Sequence, residues 1–248
     1  MIPGVGTAIN IGAILLGSAI GVALGDRLPQ RTRDVVTDGL GLVVLLVAAL
    51  SASAVVDPAL RDSVGSGAPV LIVLGAVLIG GIIGSLIRLE SRLEVFGAWL
   101  RRRLVPDHDA SSSHRFVEGF VTASLVFCVG PLAILGPLSD GLGNGIEQLA
   151  LKATLDGFAS IAFAAALGWG VAASAVAVLV YQGFRTLVGV LLGGWLAPAE
   201  VASITAVGGL LLVGVAIRLL RLRDVPVADL LPALVVAPIL TAIAVALH

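Results

Sequence analysis

Residues 68–87 read APVLIVLGAVLIGGIIGSLI, twenty positions in succession without a charged side chain. A helix needs about 20 predominantly apolar residues to cross the hydrocarbon of a bilayer, so the stretch reads as a membrane span. The rest of the chain is built the same way. Of its 248 residues, 58% are hydrophobic and 12% are charged, against roughly 45–50% and 25% in a soluble domain. A chain so poor in charge cannot clothe a water-facing surface, and most of its surface has to meet lipid. Backbone groups in hydrocarbon are satisfied only within helices or closed barrels. Barrel strands would appear as alternating segments of about 10 residues, whereas the apolar runs here are continuous and rich in Ala, Leu and Val. The fold class is therefore an all-α polytopic membrane protein.

Eight spans can be laid out, at 7–25, 36–56, 68–88, 116–138, 149–168, 171–192, 201–220 and 228–247. The fifth and sixth come from one run, Leu149 to Leu192, which is too long for a single crossing. Gly168-Trp169-Gly170 is the place for its turn. Basic residues collect in cytoplasmic loops, and they test the count. With eight spans and both termini outside, 12 of the 15 Lys and Arg residues fall on the inner side: Arg27, Arg31, Arg33, the six between Arg88 and Arg115, and Arg218, Arg221 and Arg223. Only Arg61, Lys152 and Arg185 fall on the other. A seven-span layout would put the last basic loop outside. The N-terminus has no basic n-region and reads as a retained first span rather than a cleaved signal.

The connection 89–115 carries Leu89, Leu93, Phe96, Leu100 and Leu104 on one helical face, flanked by Trp99 and Arg101–Arg103. It is expected to be an amphipathic helix, lying on the cytoplasmic membrane surface or packed against the bundle. PDHDASSSH at 106–114 is a polar linker, and its two histidines are read as solvated rather than metal-bound.

An internal repeat is also suggested. IGAILLGSAIG (11–21) aligns without gaps on LGAVLIGGIIG (74–84), so Gly12, Gly17 and Gly21 match Gly75, Gly80 and Gly84. Both contain G-x-x-x-G, the spacing that lets membrane helices approach closely. Each is followed by a basic connection and a helix opening with an acid and a glycine, Asp38-Gly39 and Glu118-Gly119. Repeat-like units at 7–56, 68–138 and, weakly, 201–247 would make up one transmembrane domain, with parallel orientation as in some transporters.

Ionisable residues inside spans are costly, at about 2.5–3.5 kcal/mol each on insertion scales, so each is a functional candidate. Asp38, Glu118 and Asp229 lie near the starts of their spans, and Asp156 lies deeper. Asn10, Thr122, Ser124, Ser160, Tyr181 and Gln182 add neutral polar groups. The candidate site for an ion or substrate is Asp156, Glu118, Asp38, Asn10, Ser160, Thr122 and Gln182. Gly130 and Pro131 join it, because a proline in mid-helix frees backbone groups that can become ligands. The alternatives are structural: acids in a first helical turn meet the helix dipole, and Lys152 and Asp156, four residues apart, can neutralise each other.

FVEGFVTASL (116–125), FCVGPLAILG (127–136), LDGFASI (155–161), GTAIN (6–10), TDGLGL (37–42) and TAVGG (205–209) resemble the bacterial YqgA/YdfK family, grouped as a domain of unknown function. The resemblance covers essentially the whole chain. It implies a multi-pass protein of the bacterial inner membrane, usually labelled a putative transport protein, and it implies no substrate. Asp229 departs from the asparagine expected in relatives.

The function expected from these features is a secondary transporter or channel for a small ion or polar solute. The alternative is a non-transporting membrane scaffold or regulator acting through 89–115. No HExxH, GxSxG or phosphate-binding loop points to an enzyme or an ATP-driven pump, and no cofactor is expected. The single Cys128 forbids an internal disulfide. A net charge of −1 gives no footprint for nucleic acid, and the expected partners are the bilayer and the solute. The G-x-x-x-G faces would allow a homo-oligomer.

Overall fold

The computed structural model describes residues 3–25, 27, 29–92, 95, 99, 110–128, 131–141, 145–192 and 197–247. Among them there is no strand. The helices are α1 (Val5–Gly25), α2 (Gln30–Ala52), α3 (Pro58–Val64), α4 (Ala68–Leu86), α5 (Ala110–Cys128), α6 (Pro131–Gly141), α7 (Glu147–Leu167), α8 (Gly170–Leu192), α9 (Pro198–Leu219) and α10 (Ala233–Leu247). Short 3₁₀ turns, Ser53–Val56 and Val227–Leu230, follow α2 and precede α10.

Local signals set several of these boundaries. Proline opens α3 and α9, where its missing N–H is no loss. The Asp57 carboxylate accepts the Ala59 N–H at 2.8 Å, and Glu200 Oε2 accepts the Ala197 N–H at 3.0 Å. The turn between α7 and α8 falls at the expected Gly168-Trp169-Gly170. There Gly168 takes φ of +78°, a left-handed conformation that favours glycine.

The chain is an all-α polytopic membrane protein, and its helices are arranged inside-out relative to a soluble bundle. On α1 the buried positions include Gly6, Thr7, Asn10, Gly17, Ser18 and Gly21, while Leu15, Leu16, Ile20 and Leu24 are exposed. On α4, Gly80, Gly84 and Ala76 face inward, and Leu71, Leu74, Leu78, Ile82 and Leu86 face out. An exposed apolar surface of that extent is a liability in water and the normal outer face of a helix in lipid. Among the described residues, seven helical segments are long and apolar enough to cross a membrane, corresponding to the expected spans other than 116–138. That stretch is divided between α5, ending at Cys128, and α6, beginning at Pro131. Gly130 lies outside the described residues. So does most of the 89–115 segment, of which 89–92, Val95, Trp99 and 110–115 are helical.

Two helices begin earlier than their apolar runs. QRTRDV (30–35) and ASSSHR (110–115) are helical although polar, so Asp38 and Glu118 sit at the ninth positions of α2 and α5 rather than in a first turn.

The chain divides into two compact units. Unit one comprises Met1–Leu40, Leu93–Cys128 and Leu132–Trp195, and unit two comprises Gly41–Arg92, Val129–Pro131 and Leu196–His248. In unit one, α1 and α7 run parallel: Gly6 lies beside Leu149, Gly17 beside Gly157, Gly21 beside Ile161 and Gly25 beside Ala165. A Cβ on Gly17, Gly21 or Gly25 would run into a carbonyl oxygen of α7, so glycine is what permits this approach. α8 lies antiparallel to α1, pairing Thr7 with Thr186 and Asn10 with Gln182. In unit two, α9 is the buried centre. α4 runs antiparallel to α10, with Gly75 beside Leu240, Gly80 beside Ala233 and Gly84 beside the Asp229 carbonyl just ahead of α10.

Candidate functional site

The polar centre of unit one is assembled on α7 from residues at four-residue spacing. Lys152, Asp156 and Ser160 share one helical face, and all three are buried. The Lys152 ammonium donates to Asp156 Oδ2 in an ion pair. Its Nζ also lies 6.0 Å from the centroid of the Phe127 ring, within reach of a cation–π attraction. Phe163 holds that ring edge-on at 6.3 Å.

Two amides complete the arrangement. Asn10 of α1 is fully buried, and its Nδ2 donates to Asp156 Oδ2 at 3.0 Å and to Gln182 Oε1 at 3.3 Å. Gln182 comes from α8 and is also fully buried. The carboxylate thus bonds Lys152 of its own helix and Asn10 of α1, and through Asn10 it is linked to Gln182 of α8, although Asn10 is 146 positions from Asp156. The parallel glycine contact of α1 on α7 makes this convergence possible, because it brings the Asn10 face against the Asp156 turn.

The network is incompletely satisfied. Among the described residues, Asn10 Oδ1, Gln182 Nε2 and the Ser160, Ser18 and Ser124 hydroxyls are buried with no hydrogen-bond partner. Leaving a buried donor or acceptor unpaired costs about 1–3 kcal/mol, so such groups call for a reason beyond packing. Chemically, the cluster is a carboxylate neutralised by an ammonium, with a free acceptor on Asn10, a free donor on Gln182 and the Ser160 hydroxyl one turn along α7.

Of the residues selected from sequence, Asn10, Asp156 and Gln182 are brought into one hydrogen-bonded group, and Ser160 sits one turn beyond Asp156. Thr122 is buried on α5 without joining that group through any hydrogen bond described above. Asp38 is exposed on α2, and Glu118 is half-buried on α5. Asp229 lies in unit two, where its Oδ1 accepts the Glu90 N–H at 2.8 Å. Pro131 opens α6.

Sequence reasoning missed two other groups. Asp140, near the end of α6, is 2% exposed, and its Oδ2 accepts the Gly4 N–H at 3.0 Å while Oδ1 has no partner among the described residues. Its context, PLSDGLG, looks like a turn and gives no signal. In unit two, Glu90 accepts from Arg218 at 2.6 Å and from the Ala228 N–H at 2.8 Å. That pair links a residue of the 89–115 segment to one read only as loop charge. Among the described residues no three His, Cys, Asp or Glu side chains are grouped as a metal site.

Comparison with known proteins agrees with the membrane reading and attaches no activity. The chain is 29% identical over 238 residues, 96% of each chain, to the uncharacterized protein YqgA of Escherichia coli (strain K12). It is 30% identical over 234 residues, 94% of each chain, to the uncharacterized membrane protein YdfK of Bacillus subtilis (strain 168). No solved structure matches it. The family described as "Protein of unknown function (DUF554)" matches residues 5–242, and the chain belongs to that family.

Proposed function

We propose that this protein is a secondary transporter or channel that carries a small ion or polar solute across the bacterial plasma membrane, with Asp156 at the centre of its path. The observation that carries the reading is the buried Lys152–Asp156 pair with Asn10 and Gln182 around it. A buried ion pair is a poor device for stability, since apolar residues of similar volume often do as well or better. Ionisable groups within membrane helices line ion and substrate pathways. The unpaired atoms of Asn10, Gln182 and Ser160 are additional contacts for a passing solute. Asp38 has no assigned role in this reading, and no catalytic step is required. The scaffold alternative calls for a dry, apolar interior, which the polar centre of unit one disfavours.

Helix directions support eight crossings. α2 and α4 account for two crossings between the parallel pair α1 and α7, so the stretch between Leu86 and Glu147 has to cross an odd number of times. Independently, the antiparallel pairing of α4 with α10 requires the same of that stretch, with α7, α8 and α9 crossing once each. Eight crossings place both termini on one side, and the basic-residue asymmetry puts that side outside.

The test is charge movement in proteoliposomes on jumps of protons, monovalent cations, divalent cations and small organic ions. Asp156→Asn, which keeps the shape and an acceptor, should lose the signal while the protein stays folded. Asp229→Asn should keep it. Normal flux in Asp156→Asn would remove Asp156 from the path.

A further inference from the structure

We infer that unit one recognises its solute by an oxyanion, such as a carboxylate or phosphate group, with the Arg185 guanidinium and the Gln182 side-chain N–H of α8 as the receptor. This rests on the transport reading and adds to it the chemical class of the solute.

Arg185 is half-buried on α8, seven residues before the helix ends at Leu192. At 1.5 Å per residue that end is about 10 Å away, and an arginine snorkelling to the nearer surface would reach towards it. Arg185 turns back instead. Its Cζ lies 5.0 Å from the centroid of the Tyr181 ring, and Tyr181 is the middle residue of Gly170–Leu192. The side chain is also on the inward side of the helix. Val171, Ser174 and Val178 are fully buried, and Arg185 follows Val178 by two turns on the same side. Val176, Val180 and Leu187 form the exposed stripe opposite. A cation–π contact therefore holds the guanidinium near mid-span, facing the interior of the unit.

Among the described residues no carboxylate pairs with Arg185. Asp156 Oδ2 accepts from Lys152 and Asn10, and Asp140 Oδ2 accepts the Gly4 N–H. Glu118 adjoins Gly119, which packs beside Leu167 and Val171 at the opposite end of α8. A charge inside a span is costly, and one that faces the bundle interior marks a substrate or ion pathway. Gln182 lies three positions before Arg185, a neighbour on the helix surface, and its Nε2 is a buried donor with no acceptor among the described residues. Asn10 bonds both Asp156 and Gln182, so these two are level in the α7–α8 hairpin. Lys152 and Arg185 each lie about one turn further from its Gly168 turn and share a level in their turn. Lys152 neutralises Asp156 there, which leaves Arg185 as the uncompensated charge and Gln182 as the uncompensated donor. A planar guanidinium matches two oxygens of a carboxylate or phosphate at once, and Gln182 Nε2 supplies a further bond.

Thermal unfolding in detergent at constant Na⁺ tests the receptor, with chloride replaced in turn by acetate, succinate, phosphate and sulfate. At least one of the four should raise the wild-type midpoint saturably, as a ligand of the folded state does. The non-saturable stabilisation that sulfate and phosphate give to proteins in general should be the same in every variant. Arg185→Gln breaks no ion pair, so it should keep its midpoint in chloride and bind the same anion about tenfold or more weakly. Arg185→Lys keeps the charge without the fork and should fall between. No saturable shift with any of the four anions overturns the inference, and so does an Arg185→Gln protein that binds as tightly as the wild type. A large loss of midpoint in chloride alone would make the guanidinium a structural group and overturn it equally. Flux in proteoliposomes judges transport separately. A saturable oxyanion shift without flux of any solute removes transport and leaves the receptor, whereas flux of cations without an oxyanion shift removes the receptor and leaves transport.

Discussion

Both units use a glycine-spaced helix to bring two backbones together, but what they enclose differs. In unit one the α1 glycines rest on α7, and the interior they close around holds Asn10, Lys152, Asp156, Ser160 and Gln182. In unit two the α4 glycines rest on Ala233 and Asp229 backbone, and the buried Ser203, Thr205 and Thr241 hydroxyls each donate to a carbonyl of their own helix. Among the described residues, all six buried side-chain polar atoms without a partner belong to unit one. The same packing device serves two ends. In unit two it closes an interior whose polar groups need nothing further. In unit one it brings unsatisfied groups from separate helices to one carboxylate, and function is accordingly placed there.

Breaking the ion pair is the strongest test of that contrast. Lys152→Met leaves the Asp156 carboxylate buried with only Asn10 for company, and losing one partner of a buried pair costs about 3–5 kcal/mol. Thermal unfolding in detergent should show a loss of that order. The double variant Lys152→Met/Asp156→Leu should recover most of the stability, because the uncompensated charge is gone, and it should carry no flux. Recovery of flux together with stability would make the pair a structural pin and erase the distinction between the units.

The glycine contacts sharpen the comparison from the other side, since there the units should behave alike. A Cβ on Gly17 would meet the Gly157 carbonyl, and one on Gly84 would meet that of Asp229. Neither obstacle is a flexible side chain that could swing away. Gly17→Val and Gly84→Val should each destabilise by about 1–3 kcal/mol, the usual cost of overpacking. If only one of them does, the two close approaches are not equivalent.

How much of this was legible in the sequence follows from what each signal measures. The apolar runs and the glycine spacing are local properties, and they foretold helices, the α7–α8 turn and which faces would be buried. Asp156, Asn10 and Gln182 stood out because polar groups are rare in such runs, and they do converge. The partner of each glycine face was not legible, because nothing local tells α1 to choose α7 and α4 to choose α10. Asp140 was missed because α6 carries a proline and ends in turn-like residues, and its importance comes from the Gly4 N–H it holds. Glu90 was missed because its partner Arg218 is 128 positions away. Asp38 and Glu118 were read as helix-opening acids because hydropathy marks where lipid begins, while the helices run on into polar sequence.

The smallest expected effect separates the two kinds of buried hydroxyl. Thr241 is fully buried in unit two and donates to the Ala237 carbonyl at 2.9 Å. Thr241→Val removes that bond, but the carbonyl keeps its helical N–H, so the cost should stay within about 1 kcal/mol. Ser160 is equally buried in unit one, but its hydroxyl has no partner among the described residues. Ser160→Ala deletes an unsatisfied group, and stability should hold or rise by up to about 1 kcal/mol. If Ser160 is present for the solute, the variant is at least as stable as the wild type and carries less flux, whereas Thr241→Val leaves flux untouched. A Ser160→Ala protein that is both less stable and fully active would mean that the hydroxyl has a structural partner, and the excess of unsatisfied groups in unit one would then no longer argue for a path.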